Sequence, residues 1–512
     1  MRTVLAGGLI IAALAPCPAA AARTSVAAAL LGLERSGAIT PAAYAQDRAT
    51  YVAAQRALGR LSGTRLVELG AVLDNVRAIA AAGGLTASRA PALFLTLERN
   101  RQWWTREPLL NNGVRVSFPG SRLVWEYYAG QGIEIQWLGT FGKANGYYLS
   151  GHENGNLRQL LGEALPLAAR RAGGIAWEYL FSFDGGSPPW TSGLSQGTAL
   201  QVLARAWSRF KEPAYLTAAE QALGVFRSPP PQGVRVRRGA GAHYAEYSYA
   251  PGDRILNGFI QAIVGLYDYT SLTQDRRGLA LFDAGDAEAR AEVPHYDTGA
   301  WSRYDQSTES TLSYHELLTE FLQHLCQRTR KGAPLLPGPP APPPPAPPPT
   351  STPTAAPGAG GSGASGGAGT TGASGAEAPA TGAPTTSAPP QHAQAPAPAV
   401  PIAKDAIYCT TAQRFGVDLR TPPKIALLTT RVRAGARAGV QMSLSKVSNV
   451  GMTIRQGGRV VWRNGATLEG GRRRLLWPTP AKAGAFTVTL SATDPAGNFA
   501  TTNGTITVGG HA

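Results

Sequence analysis

Apolar residues recur at helical spacing through much of the first 330 residues, with polar residues between them. Such periodicity is typical of amphipathic helices that bury one face. The clearest stripes are Leu66, Leu69, Leu73 and Val76; Leu157, Leu161, Ala164 and Ala168; Leu200, Leu203, Trp207 and Phe210; Leu216, Ala219, Leu223 and Phe226; and Leu256, Phe259, Ile263 and Leu266. A further stripe, Tyr314, Leu318, Phe321 and Leu325, predicts a last helix with Tyr314 and His315 in its first turn. We therefore expect an all-α core.

Two regions alternate between apolar and polar residues, as β-strands do. Residues 114–136 predict a short hairpin region with a turn at Gly130 to Gly132, and residues 424–508 predict a sandwich of about seven strands. The alternating residues of the second region are Val440, Met442, Leu444, Met452, Ile454, Val460, Trp462, Phe486, Val488 and Leu490. The ending AFTVTLSATDPAGNFATTNGTITV resembles bacterial Ig-like modules appended to exported proteins.

Composition marks off the two ends of the helical part. Arg2, the apolar run 4–14 and the small residues 19–22 are typical of a secretory signal peptide, and the run is too short to span a bilayer. A lipid anchor at Cys17 is the alternative, which the preceding Pro16 disfavours. Residues 333–402 consist almost entirely of Pro, Ala, Gly, Ser and Thr, which predicts a disordered tether. We expect an exported, soluble protein.

These patterns predict a multidomain chain with five segments. They are a signal peptide (1–22), a helical N-terminal region (23–112), an all-α domain with a short hairpin region (113–332), a disordered linker (333–402) and an Ig-like β-sandwich (403–512).

The formal net charge of +16 lies mainly in the last segment. Residues 403–512 contain 15 Lys and Arg against 4 Asp and Glu, including the run Arg472 to Arg474. This excess favours retention near an anionic polymer of the cell envelope, and a solvated basic face on a spacer domain is the alternative. Nucleic acid is not an expected partner, because interleaved aromatic and basic residues are lacking.

Cysteine and histidine are sparse. Once a signal peptide is removed, Cys326 and Cys409 remain, so we predict that disulfides do not build the fold and that Cys326 is a buried free thiol. Neither Cys nor His falls into metal-ligand spacing, and no dinucleotide fingerprint occurs. The sequence therefore predicts neither a metal nor a cofactor.

Four blocks between 121 and 330 carry a family resemblance. YDTG, RYD and YH occur in order within 295–330, and three longer blocks lie upstream, EYYAGQGIEIQWLGTFGKAN, PPWTSGLSQGTALQVLARAW and AEYSYAPGDRILNGFIQAIVGLYDY. Together they resemble D-glucuronyl C5-epimerases, which convert glucuronate into iduronate within a heparan sulfate-like polysaccharide. The resemblance implies an α/α toroid.

Epimerisation at C5 removes a proton next to a carboxylate and returns one to the opposite face of the ring. The enolate-like intermediate needs hydrogen-bond donors or cations at the carboxylate and an acid or base on each face. A tyrosine is expected to act as this acid or base only if positive charge or hydrogen bonds lower its pKa from about 10.

The resemblance implies a catalytic role for Glu246, Tyr247, Tyr304 and Tyr314. Tyr304 and Tyr314 are the expected proton-transfer groups, and Tyr247 and Glu246 are expected to shape the second face. Judged one at a time, each has a structural alternative. A tyrosine that begins a helix is often a residue at the edge of the core, and a loop glutamate such as Glu246 is often solvated.

Five further residues are expected to bind substrate. Arg303 is predicted to pair with the uronate carboxylate, and His315 to adjust its neighbour or bind hydroxyls. Trp190 offers a face for sugar stacking, Gln196 an amide for hydroxyls, and Tyr128 a cover over the groove. The alternatives are a packing role for Trp190, a surface charge for Arg303 and a hydrogen-bonding role at the helix start for His315.

Three functions remain open from the sequence. The first is an exported uronate C5-epimerase acting on an anionic polysaccharide. The second is a polysaccharide lyase that abstracts the same C5 proton and then expels the C4 substituent. The third is a glycan-binding or envelope-anchoring protein without catalysis.

Overall fold

The structure, a computed structural model, describes residues 24–330 and 406–509. The predicted signal peptide and the predicted linker lie outside these ranges. Among the described helices, none is both long enough and apolar enough to cross a membrane.

Helices dominate the first range, as the stripes predict. The helices are α1 (Val26–Arg35), α2 (Pro41–Leu58), α3 (Gly63–Ala81), α4 (Ala90–Arg106), α5 (Trp137–Ser150), α6 (Asn154–Ala164), α7 (Gly193–Phe210), α8 (Pro213–Ala222), α9 (Gly224–Arg227), α10 (Leu256–Thr273), α11 (Arg276–Glu292), α12 (Leu312–Thr329) and α13 (Ile407–Asp418). Two 3₁₀ turns occur at Leu165–Leu167 and Val293–Tyr296.

Eight of these helices form consecutive pairs. Helices α5, α7, α10 and α12 contact one another in a row, and each also packs against the helix that follows it, α6, α8, α11 or α13. An inner helix thus alternates with an outer helix along the chain. The outer partner of α12 is α13, which comes from beyond the predicted linker.

Local sequence sets the start of the two helices that border the functional region. The Ser192 hydroxyl accepts a hydrogen bond from the Ser195 amide at 3.3 Å, and the Thr311 hydroxyl accepts one from the Tyr314 amide at 3.5 Å. Such caps satisfy amides that have no partner within the helix. In α12 the stripe turns Leu325 into the core and leaves Tyr314 at its edge, 40% exposed.

Short sheets connect the helices. They consist of β1 (Arg115–Val116), β2 (Trp125–Tyr128) and β3 (Gly132–Ile135), then β4 (Ala169–Arg171) with β5 (Gly174–Ala176), and β6 (Arg235–Arg237) with β7 (Ala242–Tyr244). The predicted hairpin region is confirmed, since β2 and β3 pair antiparallel and turn at Gly130, whose φ is 79°. A positive φ suits glycine because it lacks a Cβ.

The C-terminal range contains a β-rich domain. Its strands are β8 (Ile425–Leu427), β9 (Arg431–Arg433), β10 (Arg437–Leu444), β11 (Ser448–Gln456), β12 (Arg459–Leu468), β13 (Gly471–Pro478), β14 (Gly484–Thr493) and β15 (Phe499–Gly509). They form a three-stranded sheet in the order β13-β10-β8 and a five-stranded sheet in the order β12-β11-β14-β15-β9. Residues of both sheets share one core, including Met442, Trp477 and Val488. The predicted alternation in β10, β11 and β14 therefore reflects burial between two sheets, whereas Val460 of β12 is 37% exposed.

The prediction for the cysteines is wrong. Cys326 of α12 and Cys409 of α13, which are 83 positions apart in sequence, form a disulfide with an S–S distance of 2.06 Å. Helix α13 lies in the segment expected to be purely β, yet its Tyr408 and Phe415 are buried in the core of the helical part. Because the sequence separation is large, local patterns carry no sign of this proximity.

A buried ion network fixes the segment after β5. The Glu178 carboxylate, on a side chain that is 2% exposed, receives hydrogen bonds from Arg89 at 2.5 and 2.9 Å and from Arg171 at 2.7 Å. Tyr179, the next residue, lines a cavity between the hairpin region and the helical core. Pairing of both guanidinium groups offsets the cost of burying three charges.

We expect Glu178→Ala to lower the free energy of unfolding by about 3–5 kcal/mol, because it leaves two buried guanidinium groups without their carboxylate partner. Asp74→Ala is the matched control, since its ion pair with Arg77 is 73% and 43% exposed. That control is expected to cost less than about 1 kcal/mol. Urea denaturation of both variants measures the difference, and equal losses would contradict this account of the network.

Candidate active site

A cavity of about 250 Å³ lies between the hairpin region and the helical core. Aromatic rings form most of its wall, and a few polar groups face into it. Its lining residues are Glu126, Tyr128, Gln136, Leu138, Tyr179, Phe181, Phe183, Trp190, Ser192, Leu194, Glu246, Tyr247, Asn257, Tyr314 and Leu317. Pockets with apolar walls and a few convergent polar groups are typical of ligand sites.

Three separate elements bring the predicted tyrosines together. Tyr247 and Tyr314 line this cavity, whereas Tyr304 does not line it and lies beside Tyr314. Tyr247 follows β7, Tyr314 begins α12, and Tyr304 lies in a tight loop before α12. The Tyr304 amide donates a hydrogen bond to the Thr308 carbonyl at 2.8 Å, and the Tyr304 carbonyl accepts one from the Leu256 amide at 3.3 Å. The loop is thereby joined to the start of α10.

The phenols form one cluster. The rings of Tyr304 and Tyr314 lie with their centroids 4.6 Å apart. The side chains of Tyr247, Tyr304 and Tyr314 lie next to one another in series, and the Tyr247 side chain lies next to Glu246. Tyr247 and Tyr304, which are 57 positions apart in sequence, thus lie in a single cluster.

Glu246 is an acidic group held in an apolar setting. It is 9% exposed, and its Oε2 atom has no hydrogen-bond partner among the described residues. A Cβ added at Gly258 would lie 2.3 Å from that oxygen, so glycine at this position leaves space for the carboxyl group. Burial raises the pKa of Glu246 to about 7, against a smaller lowering by the hydrogen bond with Tyr247. The group can therefore gain or lose a proton near neutral pH.

The pKa values of the three phenols are raised, whereas from the sequence we expected them to be lowered. Burial, and then the neighbouring charge of Glu246, raise the pKa values of Tyr247, Tyr304 and Tyr314. The charged residues that line the cavity are Glu126 and Glu246, and neither contributes positive charge. A free phenolate is disfavoured here, so a phenol that takes up a proton must release its own to a neighbour.

Two of the five expected substrate-binding residues line the cavity. Tyr128 packs against Phe181 with ring centroids 4.7 Å apart. Trp190 stacks on Tyr179 at 4.2 Å, is 4% exposed, and donates its indole N–H to the Phe181 carbonyl at 2.8 Å. Trp190 therefore also packs beneath the loop, which was the structural alternative.

The other three lie outside the cavity. Gln196 is buried and donates to the carbonyls of Ile175 and Ala222, so its amide is engaged within the core. Arg303 lines a neighbouring cavity of about 410 Å³ that also contains Arg254. These positions do not support the expected contact of Gln196 or Arg303 with a sugar in the aromatic cavity.

His315 also differs from expectation. Its side chain is buried, its Nδ1 contacts the Ser302 hydroxyl at 2.8 Å, and its Nε2 lies 3.1 Å from the Phe415 carbonyl in α13. Burial lowers its pKa to about 4. His315 therefore joins helices and a loop and does not face the cavity.

Several lining residues had no part in the sequence expectations. Glu126, Tyr179 and Phe183 face the cavity from the hairpin region and from the segment after β5, and Asn257 faces it from α10. Residues 125–128 read WEYY, and the exposure of side chains there alternates with Glu126 and Tyr128 on one face. Because side chains two residues apart in a strand share a face, the spacing of Glu126 from Tyr128 was the sequence signal that could have placed Glu126 at the cavity. No cluster of three or more His, Cys, Asp or Glu that could hold a metal occurs in residues 24–330 and 406–509.

Residues 172–333 match the model for the D-glucuronyl C5-epimerase C-terminus. This part of the chain belongs to that family. The expected resemblance is confirmed there, and the matched range contains Glu246 and all three tyrosines of the phenol cluster. Tyr128 and the rest of the hairpin region lie before the matched range.

Two relatives are similar to part of this chain. A D-glucuronyl C5-epimerase of Caenorhabditis elegans is 33% identical over 131 residues, which cover 23% of this chain and 21% of the relative. An uncharacterized protein of Methanocaldococcus jannaschii is 30% identical over 138 residues, which cover 26% of this chain and 45% of the relative. The chain therefore spans about a fifth of the first relative and less than half of the second.

The pKa of Glu246 gives a test by pH. The carboxyl group stays protonated in the folded epimerase-family domain up to about pH 7 but ionises near 4.5 when unfolded. Stability that is present below pH 4.5 is therefore lost as the pH rises through 7. Relative to the wild type, we expect Glu246→Gln to gain on the order of 3 kcal/mol across this window, because one pKa unit corresponds to about 1.4 kcal/mol.

Chemical denaturation at pH 4.5 and pH 8 measures this difference. Glu320→Gln on the exposed side of α12 is the control, since its side chain is 59% exposed. A stability difference between wild type and Glu246→Gln that does not change with pH would show that the carboxyl group titrates normally.

Proposed function

We propose that this protein is a uronate C5-epimerase that interconverts glucuronate and iduronate residues in an anionic, heparan sulfate-like polysaccharide. The observation that carries the proposal is the cluster of Glu246, Tyr247, Tyr304 and Tyr314, of which all but Tyr304 line one cavity. Membership of residues 172–333 in the epimerase family and the likeness to the C. elegans enzyme support it.

The cluster offers a way to move a proton without a free phenolate. One phenol at the cavity takes the C5 proton as it passes its own proton along the series toward Glu246, whose pKa is about 7. The electrons of the broken C–H bond enter an enolate of the sugar carboxylate. A second phenol at the cavity then donates a proton to C5 from the other face while it receives one back along the series from Glu246, which regenerates the sugar carboxylate, restores the charge of Glu246 and inverts the centre. Tyr247 and Tyr314 both line the cavity, and Tyr304 connects them.

Neutral donors stabilise the enolate in this proposal. Asn257, Gln136 and Tyr128 line the same cavity as the phenols and can donate hydrogen bonds to carboxylate oxygens. Such donors are effective in a water-poor site because fixed dipoles need no reorganisation. Trp190 and Phe183 supply apolar faces against which a sugar ring packs.

The lyase and the non-catalytic binder remain the alternatives. A lyase breaks the bond between C4 and its oxygen after the same proton abstraction and leaves an unsaturated, ultraviolet-absorbing end. A binder leaves the C5 hydrogen in place. Incubation of the purified protein with glucuronate-bearing polymers in heavy water, followed by NMR, separates all three. We expect deuterium at C5 with chain length unchanged.

We expect Tyr304→Phe and Tyr314→Phe each to lower kcat by about 10²- to 10⁴-fold, the usual contribution of a positioned acid or base. Tyr147→Phe is the control, because Tyr147 lies on α5 and does not line the cavity. Rates of C5 deuterium incorporation give kcat. Variants as active as the wild type would remove these phenols from the reaction.

We further propose an α/α toroid, an exported location and an Ig-like identity for the β-rich domain. The alternation of inner and outer helices from α5 to α13 supports the toroid. The disulfide between Cys326 and Cys409 supports export, since disulfides persist in oxidising compartments. The two-sheet core supports the Ig-like assignment. The boundaries 1–22 and 333–402 remain proposals of the sequence.

We also propose that the β-rich domain contacts an anionic polymer. A cavity of about 590 Å³ lies between the edge strands β12 and β13, and Arg437, Trp462 and Arg474 line it. Trp462 donates its indole N–H to the Leu476 carbonyl at 3.3 Å, which ties the two sheet edges together. Two guanidinium groups beside an indole suit carboxylated sugars.

We expect the double variant Arg437→Ala/Arg474→Ala to bind heparosan roughly tenfold more weakly, the effect of losing about 1.4 kcal/mol. The matched control is Arg431→Ala/Arg433→Ala on β9, at the opposite edge of the five-stranded sheet. Calorimetry at low and high salt measures both affinities. Equal weakening of the two double variants would indicate a general charge effect in place of a site between β12 and β13.

A further inference from the structure

The loop that carries Tyr304 is a small hairpin, and the carboxylate of Glu309 takes no part in closing it. Arg303 and Glu309 form an antiparallel bridge, and the Ser310 amide donates to the Ser302 carbonyl at 2.9 Å. The Asp305 carboxylate accepts from the Thr308 amide at 2.8 Å, which closes the turn. This leaves the Glu309 side chain, opposite Arg303, to point away from the hairpin.

Glu309 reaches the β-rich domain. Its carboxylate accepts hydrogen bonds from the Val447 amide at 2.5 Å and the Gly470 amide at 3.0 Å. A Cβ added at Gly470 would lie 2.6 Å from Glu309 Oε1, so the backbone there is open to the carboxylate. Hydrogen bonds from amides to a carboxylate are strong because the acceptor is charged.

A second contact passes through a stacked pair of rings. Trp301, just before the hairpin, stacks on His315 with centroids 3.8 Å apart, and the Lys446 ammonium of the β-rich domain lies 5.1 Å from the Trp301 ring. Lys446 is 1% exposed and is held by Asp494 at 2.7 Å and by the Asp418 carbonyl at 2.7 Å. This cation is therefore fixed in position against the loop.

Helix α13 adds a third contact from the same segment. Arg414 forms an ion pair with Asp297 at the start of the loop, and the Phe415 carbonyl contacts His315 Nε2 at 3.1 Å. The disulfide between Cys326 and Cys409 joins α13 covalently to α12. Residues 297–315, which contain Tyr304 and Tyr314, are thus contacted at Asp297, Trp301, Glu309 and His315 by the chain beyond residue 406.

We propose that segment 406–509 completes the active site by holding the Tyr304 loop, so that Glu309 and Arg414 are positioning residues for Tyr304 and Tyr314. The predicted boundary at 403 would make this segment a separate module, whereas the contacts join it to the site. The loop is also tied to the segment that leads into α10. The Leu256 amide donates to the Tyr304 carbonyl, and the Gln306 side chain accepts from the Arg254 amide and donates to the Gly252 carbonyl. Misplacement of a reacting group by about 1 Å costs about 10²-fold in rate. The effect on catalysis rests on the proposed epimerase function.

The test uses the full chain with Glu309→Ala and, from α13, Arg414→Ala. Neither residue lines the cavity, so we expect kcat to fall by about 10- to 100-fold and KM to stay within about threefold. Glu309→Gln keeps one acceptor oxygen and is expected to recover part of the rate. The control is Glu320→Ala on the exposed side of α12, which is expected to match the wild type in kcat.

Hydrogen exchange measured by mass spectrometry gives a readout independent of the reaction. In Glu309→Ala and Arg414→Ala we expect faster exchange across 297–311, including the Tyr304 and Ser310 amides, with exchange in α7 and α10 unchanged. The proposal is overturned if 297–311 exchanges as in the wild type, or if kcat falls only in proportion to the folded fraction. If no polymer is epimerised, exchange alone decides the positioning role.

Discussion

Burial of one carboxyl group among phenols is the constraint on which the site depends. Glu246 has an oxygen without a partner, and the space for it exists because residue 258 is glycine. An ionised carboxylate is costly in such a place, so the pKa of the group rises to about 7. The same burial keeps the surrounding phenols protonated. Proton transfer here must therefore be coupled between neighbours, which is why a series of contacts matters more than any one side chain.

The scaffold places this cluster where three chain segments end. β7 leads into Glu246 and Tyr247, the start of α12 presents Tyr314, and the hairpin between them presents Tyr304. Loops hold functional groups well when rigid elements fix both of their ends. On one side these elements are α7 and α10, and on the other they are α13 and the β-rich domain. The covalent link between Cys326 and Cys409 places part of that support across a long stretch of chain.

Acidic and basic side chains lie in different parts of the molecule. The aromatic cavity carries acidic groups and neutral donors, whereas cations such as Arg303 and Arg254 lie in the neighbouring cavity. The β-rich domain carries most of the net positive charge, with guanidinium groups beside the groove between β12 and β13. In the proposed function, an anionic polymer is attracted by surfaces outside the cavity while the reacting sugar meets uncharged donors within it. Long-range attraction and local chemistry have separate locations.

The sequence by itself determined what depends on neighbouring residues. Periodicity located the helices and the alternating strands, and ordered motifs indicated the family resemblance and the four members of the cluster. Only the tertiary structure decided the rest. It buried His315 and Gln196, turned Arg303 toward another cavity, paired Cys326 with Cys409, and raised the pKa values of the phenols. Each of these outcomes depends on burial or on a partner distant in sequence, and local patterns contain no information about either.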